Sequence, residues 1–309
     1  MIARNLLGLS AAALLLSIST VAYALPTHTW VSTKGSDSNS GTMASPYADF
    51  ATAAANTAAG GTVSVLDAGD YGPLTITQSI TIDGTGGGSI GFAGDGEGIY
   101  IDPSSAASVV IRNLTIDGGG TGSDAIFVAS AGTTNVVNVV IDNCHIEGFV
   151  DIGIGLGSES PMNVVVRNTS IVGGELGVRT FQNGTVSPVS YDFVVLQNVA
   201  IQGASSAGVF TRNGTLEITN SVLQNNLVAL EADTSAILRA ESSMIAQNGT
   251  AACAFTTGKV SLSNNNIYDN GTGVAACGGT IKTGNNNRDS GNTNGNPVSS
   301  SSVSPIVIF

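Results

Sequence analysis

The chain has 309 residues and a formal net charge of −12, from 22 acidic and 10 basic side chains. That balance argues against nucleic acid or an anionic membrane as a partner, because phosphate binding needs a basic surface. With 40 glycines, only 10% charged residues and no runs of helix formers, the composition points to strands joined by tight turns.

Residues 1–4 give a short positive start, 6–22 an apolar run, and Ala22-Tyr23-Ala24 a small-x-small cleavage site. This is the pattern of a secretory signal peptide over residues 1–24, with a mature start near Leu25. A membrane-spanning anchor is the rival reading, since the apolar run is just long enough. No later segment could span a bilayer, so the mature product is expected to be secreted or periplasmic, without membrane insertion.

Residues 29–32 read as a short strand, followed by a polar loop to Thr42. Ser45 then reads as an N-cap and Pro46 as the first position of a helix of about 14 residues, stopping at Gly60-Gly61. A single helix at the start of a stack would cover its open end, which makes 25–61 an N-terminal cap.

From Thr62 the pattern becomes strand: 62–66, a turn over 67–72, then 74–76 and 80–82. An anchor recurs at Ser79, Asn113, Asn143, Asn168, Asn198, Asn220, Ser242 and Asn264. Three residues beyond each stands an aliphatic residue: Ile82, Ile116, Ile146, Ile171, Ile201, Leu223, Ile245 and Ile267. The last three anchor steps are 22 residues each. A fixed period of this size marks a solenoid whose repeats bury one another's cores. Each anchor follows one short strand and precedes another, and a third comes about ten residues later, so each coil is triangular and stacking makes three parallel sheets. Asn suits the corner because it tolerates the left-handed conformation. An antiparallel sandwich would need two-residue hairpin signals and would not hold the ladder.

The fold class expected is all-β: a single-stranded right-handed parallel β-helix over 62–283, with one N-terminal capping helix and a C-terminal cap over 284–309. Right-handedness follows from the crossover rule for parallel strands. Three cysteines fit an oxidising compartment with at most one disulfide. Cys253 and Cys277 fall on neighbouring coils, with a stagger that strains the reach of a bond. Cys144 is left over as a small core residue. Two histidines and three scattered cysteines give no metal-ligand spacing.

The layout resembles the right-handed parallel β-helix proteins of the pectin-lyase-like superfamily over nearly the whole mature chain. Trp30-Val31-Ser32, Gly35-x-Asp37, Ser45-Pro46-Tyr47, Gly61-Thr62-Val63, Asp70-Tyr71-Gly72 and the closing Gly284-Asn285-Asn286 and Gly291-Asn292 are similar to secreted bacterial members with no assigned activity. The resemblance implies a carbohydrate cleft over one parallel sheet, beside the loops that leave it.

Alternation along the third strand of each coil puts Ile99, Ile126, Ile154, Val178, Val209 and Leu230 inside. The outward neighbours form two rows. One runs Tyr100, Phe127, Gly155, Arg179, Phe210, Glu231, and the other Asp102, Ala129, Gly157, Phe181, Arg212, Asp233. Asp151 and Glu175 stand where the turn enters the strand. Tyr100, Phe127, Phe181 and Phe210 can stack on sugar rings, and Arg179 or Arg212 can neutralise a uronate. Among Asp151, Glu175, Glu231 and Asp233, two carboxylates can do acid–base work, and Asp151 with Glu175 can hold Ca²⁺. The competing account of these rows is a surface salt-bridge ladder, with Arg212 and Asp233 direct neighbours. Arg112, Asp142 and Arg167 read as a structural charge ladder, and His145 as a solvated surface histidine beside Glu147 and Asp117.

Asn213-Gly214-x-x-Glu217 is similar to a calcium-ligand motif of one alginate and chondroitin lyase family, whose companion motifs are missing here. Also missing are the polygalacturonase Gly-His-Gly and Arg-x-Lys set, the epimerase Asp-Pro-His, the pectin methylesterase set, a Ser–His–Asp motif and a phosphate-binding loop. Two readings remain. The first is an exported binder of an extracellular, anionic polysaccharide or cell-surface glycan, whose enzyme form is a lyase or glycoside hydrolase. The second is a non-catalytic structural or adhesin-like protein, which the short turns favour. No cofactor beyond Ca²⁺ is implied, and nothing sets the oligomeric state.

Overall fold

The structure, a computed structural model, describes residues 24–130, 136–158, 162–182, 193–284, 286–295 and 303–305. The expected signal peptide, but for its last residue, and the chain's last four residues lie outside the described residues. Among the described residues, no helix is long and apolar enough to cross a membrane.

One coil shows the plan. Val137–Asp142 runs into Asn143, the chain turns into His145–Phe149, turns again into Ile152–Ser158, and returns to the first direction in Met162–Arg167. Each strand pairs in parallel with its counterpart one coil away, so Val139 lies between Val109 and Val164, and Ile154 between Ile126 and Val178. The strands before the asparagines form a first sheet, those after them a second, and the remainder a third.

The asparagine corners are left-handed, with φ between 52° and 59° at Asn113, Asn143, Asn168, Asn198, Asn220, Ser242 and Asn264. Asn adopts this conformation at less cost than most side-chain-bearing residues because its short amide bonds locally. The inward residue three positions on forms the predicted ladder from Ile116 to Ile267, each residue 2% exposed or less. Burying each such side chain stabilises by about 1.5–3 kcal/mol.

The expected first anchor is misplaced. Ile82 pairs with Val63 and Ile111 and so belongs to the first sheet, while Ile90 pairs with Ile116 as the true ladder member. Gly84 N–H donates to Arg112 O (2.9 Å), the bond that Asn113 N–H makes to Asp142 O (3.1 Å), so that coil turns at Gly84. Glycine replaces Asn there and hides the corner from a search for anchors.

The helix also differs from expectation: it spans Phe50–Ala55 only, and its N-cap is Asp49, which accepts from Thr52 N–H at 2.6 Å. Ser45 and Tyr47 are extended, bridged to Thr42 and Val31. Tyr47 N–H donates to Trp30 O, and the ring is buried, so packing onto the first strand overrides the Ser-Pro start signal. Phe50, Ala53 and Ala54 are buried, and Phe50 meets Tyr71 at 5.3 Å between ring centroids.

Cys253 and Cys277 are bonded, with Cα atoms 5.8 Å apart; Cys144 is free and buried. Two long strands, Ala207–Thr219 and Val228–Glu241, pass from the third sheet into the first without a loop, bending near Asn213 and Ser235. Among the described residues these two passages carry no loop to stand beside the third sheet as a wall.

Candidate functional site

The inward row of the third sheet is as the alternation predicts: Ile99, Ile126, Ile154, Val178, Val209 and Leu230 are each 0% exposed. Their outward neighbours therefore stand on one face, and the register aligns them. Tyr100, Phe127, Gly155, Arg179, Phe210 and Glu231 follow one another coil by coil. Ala129, Gly157, Phe181, Arg212 and Asp233 do the same beside them.

Along the face, Tyr100 and Phe127 lie parallel with centroids 6.1 Å apart. Phe127 then leans across the next coil, where a Cβ on Gly155 or Gly157 would come within 2.6–2.7 Å of its ring. The two glycines are thus the floor on which the ring rests. The next coils hold Phe181 between two guanidinium groups, Arg179 at 5.0 Å and Arg212 at 5.6 Å from its centroid. Such contacts are worth about 0.5–1 kcal/mol at exposed positions and hold the cations flat against the surface.

The two arginines differ in what else they touch. Arg212 is bound to Asp233 at 2.9 Å. Arg179 makes no ion pair or hydrogen bond among the described residues. Asp233 is further engaged by the hydroxyls of Thr234 and Thr256. Burial opposes its ionisation, but Thr234, Thr256 and Arg212 together keep its pKa lowered. That excludes Asp233 as a proton donor near neutral pH. Glu231 is the opposite case: burial, then the charge of Asp233, raises its pKa, and no described residue bonds to it. It sits between Phe210 and Cys253, and Cys253 is bonded to Cys277.

Sequence reasoning missed Asp124. It is 9% exposed, at the entrance of Ile126–Ser130, and accepts from Ile152 N–H at 3.2 Å. Burial, then the neighbouring Asp151 carboxylate, pushes its pKa up to about 6, with Glu97 adding and Arg179 opposing. Its signal in the sequence was a carboxylate two residues before Ile126, where later coils carry Ile152, Leu176 and Ala207. Asp151 is half-buried and Glu175 exposed. Among the described residues no three His, Cys, Asp or Glu side chains are grouped to hold a metal ion.

The remaining candidates are structural. Arg112 pairs with Asp83 (2.8 Å) and Arg167 with Asp142 (2.9 Å), as a charge ladder should. Glu217 of the Asn-Gly-x-x-Glu stretch is bound by Arg239 at 2.9 Å. His145 is half-buried, bonded to Ser170, and lies 3.3 Å from Glu147. A groove of about 830 Å³ lies at the asparagine corner, away from the third sheet, and holds none of the arginines, aromatics or carboxylates of the rows. The third-sheet face is the better candidate for chemistry because it carries both a cation unpaired among the described residues and a carboxyl with raised pKa.

The model of a protein family described as right handed beta helix region matches residues 75–239. No curated protein matches the chain. Among solved structures, XylC in complex with xylose aligns with TM-score 0.63 at 10% identity, over 85% of this chain and 70% of that one. A GH136 lacto-N-biosidase from Eubacterium ramulus gives 0.62 at 11%, over 90% and 68%. Pectate lyase Pel9A gives 0.51 at 14%, over 85% and 69%. At these identities the likeness is one of fold.

Proposed function

The chain belongs to the right-handed β-helix family, and from that premise we propose that it is an exported protein that binds an extracellular anionic polysaccharide along the outward face of its third sheet. The observation that carries this reading is Arg179: a cation with no ion pair among the described residues, 5.0 Å from the Phe181 ring centroid, in line with the Tyr100–Phe127 stack. Aromatic faces take sugar rings, and a guanidinium takes a uronate carboxylate in two parallel hydrogen bonds. Solved structures of the same fold include a pectate lyase and a lacto-N-biosidase, so the scaffold accommodates carbohydrate chemistry. In the lyase or hydrolase form of this reading Glu231 is the acid–base group, since its raised pKa keeps a proton available nearer neutral pH than an ordinary carboxyl does.

A second reading, a non-catalytic surface-interaction protein, is favoured by the Arg212–Asp233 pair, which cancels two of the face's charges, and by the loop-free passages of the two long strands. The test is to incubate the mature protein with pectate, alginate and glycosaminoglycan chains, with and without Ca²⁺, and follow binding, reducing ends and unsaturated-product absorbance. The expected result is binding to at least one uronate chain, weakened about tenfold or more by Arg179→Ala. Release of product that Glu231→Gln abolishes assigns the enzyme form. Binding without release leaves the first reading in its non-enzymatic form, and no binding to any chain removes the anionic polysaccharide and leaves the second reading.

A further inference from the structure

The groove at the asparagine corner runs across the coils from Asn113 to Asn220, with a volume of about 830 Å³, within the range of ligand sites. Its bottom is mainly apolar, with Leu114, Cys144 and Val199 beside the buried Thr169, and its rim on the second sheet carries Thr115, His145, Ser170, Ala200 and Val222. No Lys, Arg, Asp or Glu lines it. On the first-sheet side the nearby charges are paired as Arg112–Asp83 and Arg167–Asp142, and on the second-sheet side His145 lies against Ser170 and Glu147. With both arginines paired, no free guanidinium stands beside the groove to hold an anion, and the occupant it suits is uncharged.

The amides above the bottom do not form a continuous ladder. Asn143 donates to Asn113 Oδ1, and Asn198 to Asn168 Oδ1, both at 2.8 Å. Asn168 should close the step between them, but its amide turns aside to Asp142 Oδ1 at 2.8 Å. The ladder is therefore broken into pairs. Among the described residues Asn143 Oδ1 and Asn198 Oδ1 are left as open acceptors two coils apart, about 10 Å at about 4.8 Å per coil. Asn220, one coil further, makes no side-chain bond at all among the described residues. An exposed acceptor repeated every second coil, over an apolar bottom, selects a ligand that brings hydroxyl donors at the same spacing on an amphipathic body. Two pyranose units of an extended chain have that length and that character.

We propose that this groove is a second binding site, for a neutral, extended oligosaccharide of pyranose units. One hydroxyl donates to Asn143 and another, two units along, donates to Asn198, while ring faces lie on Ala200 and Val222. The site is independent of the third-sheet face and does not rest on the function proposed for it.

The experiment is an NMR titration of the mature protein with cellohexaose and with xylohexaose, with hexagalacturonate as the anionic control. Binding of a neutral hexamer should shift the side-chain amide resonances of Asn143, Asn198 and Asn220, and should be indifferent to salt between about 0.05 and 0.5 M. Ala200→Trp, which fills the groove from an outward position, should weaken that binding at least about tenfold, and Arg179→Ala should leave it unchanged. If a thermal melt shows that Ala200→Trp does not fold, Ser170→Tyr obstructs the same groove from the neighbouring coil. The proposal is overturned if neither neutral hexamer shifts those amides at about 10 mM. It is equally overturned if Arg179→Ala removes the binding while the groove-filling variants do not.

Discussion

Asp124 stands in a row where the following coils place Ile152, Leu176 and Ala207, and its ionised form is disfavoured there by burial and by Asp151. A carboxyl whose pKa rises from 3.8 to about 6 on folding binds its proton more tightly in the folded state. At about pH 3 and below the carboxyl is protonated in both states and costs nothing. As pH rises toward 6 the unfolded chain ionises first, and folding loses up to about 3 kcal/mol, at roughly 1.4 kcal/mol for each tenfold difference in proton affinity between the two states. Asp124→Asn keeps an oxygen for Ile152 N–H and removes the charge. Urea denaturation at pH 3 and pH 8 should therefore find the variant level with the wild type at the lower pH and about 2–3 kcal/mol more stable at the higher. A variant less stable at both would mean that the ionised carboxylate is itself a bonding partner in the fold. The charge stays in a place that stability alone would not choose, a few residues from the entrance of the candidate face.

At the scale of the structural element, two asparagine ladders run along the molecule and do different work. The outer one is the left-handed corner series. The inner one, Asn226, Asn248, Asn270 and Asn292, is bonded coil to coil. Asn248 is 3% exposed, donates to Leu223 O, Ala246 O and Asn270 Oδ1, and accepts from Asn226 N–H and Nδ2. Removing it strands buried donors and acceptors on both neighbouring coils, at about 1–3 kcal/mol for each group left unmet. Asn220 is exposed, and its replacement costs only the left-handed conformation, about 1–2 kcal/mol. Chemical denaturation should rank Asn248→Ala well below Asn220→Ala in stability; equal losses would deny the inner ladder its role. The outer ladder and its aliphatic partners were legible in the sequence because they share a period with the core they adjoin. The inner ladder has the same 22-residue period but sits among Asn-rich turns, where composition disguised it. The corner at Gly84 was illegible for another reason: glycine takes any turn and leaves no side-chain mark. The site rows could be read because strand alternation is strict. Which of their charges were paired was a matter of side-chain reach, and that needed coordinates.

A solenoid contacts itself only between neighbouring coils, so its stability is close to a sum of local terms, and its ends open before its middle. The Cys253–Cys277 bond ties two coils near the C-terminal end across a separation of 24 residues. Closing a loop of that size removes unfolded-state freedom worth about 3 kcal/mol. In a globular core that loss would be felt everywhere, whereas in a stack it should stay near the bond. Hydrogen exchange of a Cys253→Ser, Cys277→Ser variant should show protection falling in Asn266–Tyr268 and Arg288–Ser290, beyond or beside the bond. Val137–Asp142, in the middle of the stack, should keep its protection. Trp30, the only tryptophan, stacks on His28 at 3.9 Å in the first strand and reports on the far end, so its fluorescence transition should not move. A uniform loss of protection together with a shifted Trp30 transition would mean that the coils unfold as one unit. The distinction bears on the candidate face, because Glu231 is the register neighbour of the bonded Cys253 and Tyr100 lies several coils away. If the ends open independently, the carboxyl end of the face can be loosened by reduction while its aromatic end remains in place.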